Sequence, residues 1–130
     1  MTATARILLL DDDKFLLDMY AMKFAQQGYT VHTSLSASDA LGVLRQGFDA
    51  DAILFDITMP EMDGFAFLQT LQTERLGEKA KKIILSNQSS DEEREKGKEL
   101  GADLYIVKAN AIPSEVVNMV GEALKDTSAA

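Results

Sequence analysis

Four short apolar runs punctuate the chain: Ile7-Leu8-Leu9-Leu10, Ala52-Ile53-Leu54-Phe55, Ile83-Ile84-Leu85 and Leu104-Tyr105-Ile106-Val107. They are unbroken rather than alternating, which suits strands covered on both faces, as in a parallel sheet. A fifth segment, Tyr29-Thr30-Val31-His32-Thr33, alternates and reads as an edge strand. Helical spacing fills the intervals. Leu17, Tyr20, Ala21 and Phe24 form one stripe, Ala37, Ala40, Leu41 and Leu44 a second, and Phe67, Leu68 and Leu71 a third. Ser90-Asp91-Glu92-Glu93 has the form of a capping box that opens a fourth helix. Pro113 suits the first turn of a fifth, with Val116, Val117, Val120 and Leu124 on one side.

Strand and helix alternating five times predict an α/β fold: a five-stranded parallel sheet, doubly wound, with strand order 2-1-3-4-5. Only two prolines, Pro60 and Pro113, occur, and no Ser/Gly-rich linker interrupts the pattern. The 130 residues are therefore expected to form one domain, with a core from about residue 6 to residue 124.

In such sheets, sites form beyond the carboxyl ends of the strands, where strand order reverses. Asp11, Asp12 and Asp13 follow the first strand, Asp56 follows the third, Ser86 ends the fourth and Lys108 ends the fifth. Each alone has an ordinary explanation: a solvated loop, a turn serine, a surface lysine. Asp13 is read as a helix cap rather than a ligand. Their joint arrival at one edge is what points to chemistry. Clustered carboxylates repel unless a cation joins them, and magnesium (Mg2+) takes one or two carboxylates plus waters and phosphate oxygens. A carboxylate can also act as a nucleophile and form an acyl phosphate. Phosphoryl transfer asks mainly for alignment and charge neutralisation, which magnesium, Lys108 and the Ser86 hydroxyl could share.

Composition narrows the classes. Thirteen basic against 21 acidic residues leave a formal charge of −8, which disfavours nucleic acid and anionic membranes as partners. No cysteine and a single histidine exclude disulfides, cysteine nucleophiles and multi-histidine zinc sites. His32, on the edge strand, is assigned no function. No apolar run reaches the length of a secretory signal or a membrane span, so the cytoplasm is the expected compartment.

The motifs ILLLDDD at 7–13, FDITMPEMDG at 55–64, ILS at 84–86 and GADLYIVK at 101–108 resemble those of the receiver domains of two-component response regulators, in order and spacing. The resemblance runs from about Arg6 to Leu124 and implies a flavodoxin-like fold of chemotaxis-regulator type. It also implies that Asp56 is the phosphoacceptor and that Asp12 ligates magnesium directly, with Asp11 acting through a water. Thr58 would offer its backbone carbonyl to the metal. Ser86 matches the hydroxyl that swings toward the phosphoryl group, Lys108 the lysine that pairs with it, and Tyr105 the aromatic switch. Pro60 and Gly64 match the turn after the phosphoacceptor, where glycine permits conformations that other residues resist. Expected partners are a sensor histidine kinase or histidine phosphotransfer protein and a downstream protein target. The chain would act as a monomer or as a phosphorylation-linked dimer through helix 4, strand 5 and helix 5. No effector domain is expected within these residues, and the domain is regulatory rather than an enzyme, although it catalyses its own phosphotransfer and dephosphorylation.

Three positions depart from the family pattern. Ala109 stands where proline usually follows the lysine, so a trans peptide is expected there. Asn87 replaces a common alanine beside the phosphoryl pocket. Gly97, inside the fourth helix, should weaken it by roughly 1 kcal/mol relative to alanine. The residues leave two alternatives. One is a receiver fold that binds partners without phosphorylation, left open by Ala109. The other is a haloacid-dehalogenase-type phosphatase using Asp11 and Asp13, which would leave Asp56 unexplained and which lacks the usual second acidic pair.

Overall fold

A computed structural model describes residues 4–128, with side chains through residue 125. Strands β1 (Arg6–Leu10), β2 (Thr30–Ser34), β3 (Ala52–Phe55), β4 (Lys81–Ser86) and β5 (Leu104–Val107) form one parallel sheet in the order β2-β1-β3-β4-β5. They alternate with helices α1 (Lys14–Gln26), α2 (Ala37–Arg45), α3 (Gly64–Glu74), α4 (Asp91–Glu99) and α5 (Pro113–Ser128). The fold and strand order are those expected from the pattern. The register aligns the strand ends: Leu10 pairs with Phe55 and with Ser34, and Ser86 pairs with Val107. Residues that follow these positions therefore share one edge.

Successive residues of β1 face opposite layers, which is why its apolar run is unbroken. Ile7 and Leu9 join a core with Leu17, Tyr20 and Phe24 of α1 and Val116, Val117 and Val120 of α5. Leu8 and Leu10 join the opposite core with Ala40, Leu41 and Leu44 of α2 and Phe67, Leu68 and Leu71 of α3. Local chemistry sets where the helices begin. Asp13, Ser36, Asp63 and Ser90 each accept a hydrogen bond from a backbone N–H two or three residues into the helix that follows. Such caps contribute typically about 1 kcal/mol each. The Ser90–Glu93 capping box forms in full.

Two details differ from the sequence reading. The fifth strand is covered less completely than its apolar run predicts, with Leu104 and Tyr105 half-buried. It lies at the sheet edge, and α4 turns only Gly97 fully inward. Gly64 does not supply an unusual backbone angle; Glu61 takes the positive φ of 70° in that loop. Glycine is required at position 64 for close approach, because a Cβ there would lie 2.3 Å from the Asp56 carbonyl oxygen. Among the described residues, no helix is long and apolar enough to cross a membrane.

Candidate functional site

The loop after β1 is drawn over the sheet edge by the Asp11 N–H, which donates to the Ser34 carbonyl at 3.2 Å. Asp11 Oδ1 then accepts the Asp13 N–H at 2.9 Å, while the Asp13 carboxylate turns away to cap α1 through the Leu16 N–H. Asp13 is thus a cap, as read from the sequence. The Asp56 N–H reaches back to the Leu10 carbonyl, and Asp56 Oδ1 accepts from Ile57 N–H at 2.6 Å and Thr58 N–H at 3.3 Å. The Gly64 N–H bonds the Ile57 carbonyl at 2.8 Å and holds the start of α3 against this loop.

Lys108 comes from the far edge of the sheet and closes the cluster. Its Nζ donates to Asp11 Oδ2 at 2.6 Å and to Asp56 Oδ2 at 2.8 Å, with all three side chains largely buried. The Lys108–Ala109 peptide is trans, and residues Lys108–Asn110 form a 3-10 turn. Alanine in place of proline therefore leaves the ammonium in reach of both carboxylates. Burial works to lower the Lys108 pKa, but the hydrogen bonds and charges of Asp11 and Asp56 together outweigh it and hold the ammonium above its usual range. Burial pushes the Asp11 carboxyl up, against the opposing pull of Lys108.

Carboxylate oxygens of Asp11, Asp12 and Asp56 lie within 4.8 Å of one another. Three carboxylates face one ammonium, so a local excess of about two negative charges remains when all are ionised. The donors are hard oxygens, and Asp12 is open to solvent. This set fits magnesium, which prefers oxygen ligands and retains several waters.

Ser86 and Tyr105 reach the cluster less directly. The buried Ser86 Oγ accepts the Gln88 N–H at 3.2 Å. Gln88 Nε2 donates to Thr58 Oγ1 at 3.1 Å, and the Gln88 carbonyl accepts the Tyr105 hydroxyl. Gln88 thereby joins three of the predicted site residues, Ser86, Thr58 and Tyr105. Most of that bridging uses backbone groups, which every residue carries, so side-chain type does not mark the links themselves. The unforeseen feature is apolar. Phe15 on α1 and Ile112 before α5 are 79% and 62% exposed, and Ile112 lines a groove together with Leu16, Met19 and Lys108. Phe15 lies off the buried stripe of α1, and that mismatch was visible in the sequence.

Residues 7–120 match the response regulator receiver domain family. The chain belongs to that family. Among curated relatives, the cell cycle response regulator CtrA of Brucella ovis is 29% identical over 103 residues, covering 79% of this chain and 43% of that protein. The chain thus spans less than half the length of the curated relatives it matches. Among solved structures, a CheY-like receiver domain protein from Methanospirillum hungatei superposes with a TM-score of 0.88 at 29% identity, covering 97% of this chain and 98% of the other. Chemotaxis protein CheY4 of Vibrio cholerae gives 0.85 at 26% identity, covering 92% and 98%. The receiver domain is a phosphorylation-dependent signalling domain, with a regulatory rather than an enzymatic fold.

Proposed function

We propose that this receiver domain accepts a phosphoryl group on Asp56 from a phosphohistidine of a sensor histidine kinase or a histidine phosphotransfer protein. The observation that carries the reading is the Lys108 ammonium, held between Asp11 and Asp56 beside a third carboxylate, Asp12. A carboxylate oxygen of Asp56 attacks phosphorus, the phosphorus–nitrogen bond breaks, and the imidazole leaves with the electron pair and takes up a proton. The product is an aspartyl phosphate. Magnesium, when held by Asp11, Asp12, Asp56 and the Thr58 carbonyl, supplies charge neutralisation for the transferring oxygens. Lys108 contributes a fixed positive charge, and the backbone N–H groups of Ile57 and Thr58 hold the nucleophile in place.

Ile112 lines the groove that also holds Lys108, and Phe15 is exposed one residue before the groove-lining Leu16; these exposed apolar side chains support a protein rather than a small molecule as the natural donor. On phosphorylation, Ser86 and Tyr105 reposition and alter the face formed by α4, β5 and α5, where a downstream protein binds or a second copy pairs. The acidic charge supports output to protein rather than to nucleic acid or membrane, in the cytoplasm, with the chain acting as a single receiver domain. Lys108 keeps both carboxylate partners with alanine at position 109, which favours this reading over a phosphorylation-independent binding module.

Intact mass after incubation with acetyl phosphate and magnesium tests the proposal. One phosphoryl addition is expected, absent in Asp56→Asn and in EDTA. An unmodified wild-type chain under conditions that label another receiver domain overturns it.

A further inference from the structure

Helix α4 has the sequence DEEREKGKE, and Gly97 is its one buried residue. Its nine residues bring no apolar side chain to the core; the first apolar contact comes from its C-cap, Leu100, half-buried against the core. Its backbone instead rests on the sheet: a Cβ at Gly97 would lie 2.7 Å from Ile84 Cδ1 and 3.6 Å from Tyr105 Cδ2. The missing methyl, expected from sequence only to weaken the helix, is also the reason the helix can sit this close. Two cations on α4 cover aromatic rings below. Lys96 Nζ lies 4.7 Å from the Phe65 ring centre, and the Arg94 guanidinium lies 5.5 Å from that of Tyr105. The Arg94 Nε also donates to the Ser89 carbonyl, and the Tyr105 hydroxyl to the Gln88 carbonyl, so both partners are tied to the loop that leads into the helix.

We infer that Arg94 is a positioning residue for Tyr105, and that along the body of α4, before its Leu100 cap, cation–ring contacts replace apolar packing in docking the helix to the sheet. The helix then opens as a local unit, and its opening is coupled to where the Tyr105 ring sits. The physical basis is comparative. Cation–ring contacts at exposed sites are worth less than a buried leucine or phenylalanine. A nine-residue helix released from the sheet is too short to persist in water, so undocking exposes its amides. Movement of Tyr105 away from Arg94 removes one of the two contacts and loosens the helix that borders the proposed output face. The inference extends the switch role proposed for Tyr105, but it is tested on unphosphorylated protein, so failure of phosphorylation at Asp56 would leave its result readable.

Native-state hydrogen exchange of the full chain by NMR, residue by residue, is the test. Amides of α4 are expected to exchange through local opening, at least about 10-fold faster than those of β1, β3 and β4. Arg94→Gln should speed α4 exchange a further 2- to 5-fold, by roughly the worth of an exposed cation–ring contact, and leave the strands unchanged. Arg94→Lys should restore most of the protection. Tyr105→Phe keeps the ring, so in that background Arg94→Gln should keep its 2- to 5-fold effect. In a Tyr105→Leu background, Arg94→Gln should have no further effect. Exchange of α4 only together with the core strands overturns the inference. So does an Arg94→Gln effect of equal size with and without the ring; if Tyr105→Leu does not fold, an unprotected α4 in Arg94→Lys decides against it.

Discussion

Lys108 Nζ donates to Asp56 Oδ2 at 2.8 Å, joining the ends of β5 and β3 across 52 residues of chain. The same ammonium bridges to Asp11, so one positive charge offsets two buried carboxylates before any metal binds. Removing it leaves Asp11 and Asp56 facing each other with little solvent between them. Lys108→Met should destabilise the metal-free protein by roughly 3 kcal/mol in urea unfolding. Magnesium should recover more of that loss than it adds to wild type, because the cluster it enters is more negative. Equal magnesium stabilisation in both proteins would separate Lys108 from the metal site.

Magnesium should stabilise the wild-type fold by mass action, by about 1.4 kcal/mol at ten times its dissociation constant. Asp12 is exposed and its side chain makes no hydrogen bond among the described residues, so Asp12→Asn should leave metal-free stability nearly unchanged. It should remove most of the magnesium effect. Unfolding midpoints with and without the ion, for both proteins, measure this directly.

Gly64 and Gly42 make a matched pair. A Cβ at Gly64 would meet the backbone of Asp56 and Ile57, at 2.3 Å and 2.8 Å, whereas one at Gly42 meets nothing within 4 Å. Gly64→Ala must push the loop that carries Asp56, and should cost about 1–3 kcal/mol and slow labelling by acetyl phosphate. Gly42→Ala, in the middle of α2, should stabilise by up to about 1 kcal/mol and leave labelling unchanged. Thermal unfolding and labelling rates of the two variants check both halves.

Phe15 is 79% exposed and adds nothing to the core. Phe15→Ser should leave stability within about 0.5 kcal/mol of wild type, as surface changes usually do. Labelling by acetyl phosphate should persist, while transfer from a phosphohistidine protein slows several-fold. Equal loss with both donors would show that the residue acts on the site rather than on the partner.

The strands and the convergence at one sheet edge were legible because they depend on side-chain type. Unbroken apolar runs mark covered strands, and Asp11, Asp56, Ser86 and Lys108 mark where each ends. Asp13 as a cap was legible for the same reason. The links from Gln88 to Ser86 and Tyr105 were not, because they run through its own N–H and carbonyl. The need for glycine at position 64 depends on a close approach between segments, which no local pattern reveals. Docking of α4 was also hidden. Its charged residues read as a solvated helix, and the close seat of Gly97 and the placement of Arg94 and Lys96 over aromatic rings show how it is held.

The most direct measurement locates the phosphoryl group itself. Protein labelled with acetyl phosphate and magnesium is reduced with borohydride, which converts an aspartyl phosphate to homoserine, and its peptides are sequenced by mass spectrometry. The account predicts homoserine at position 56 alone. Homoserine at position 11 or 12, or none in protein that carries the added mass, would contradict it.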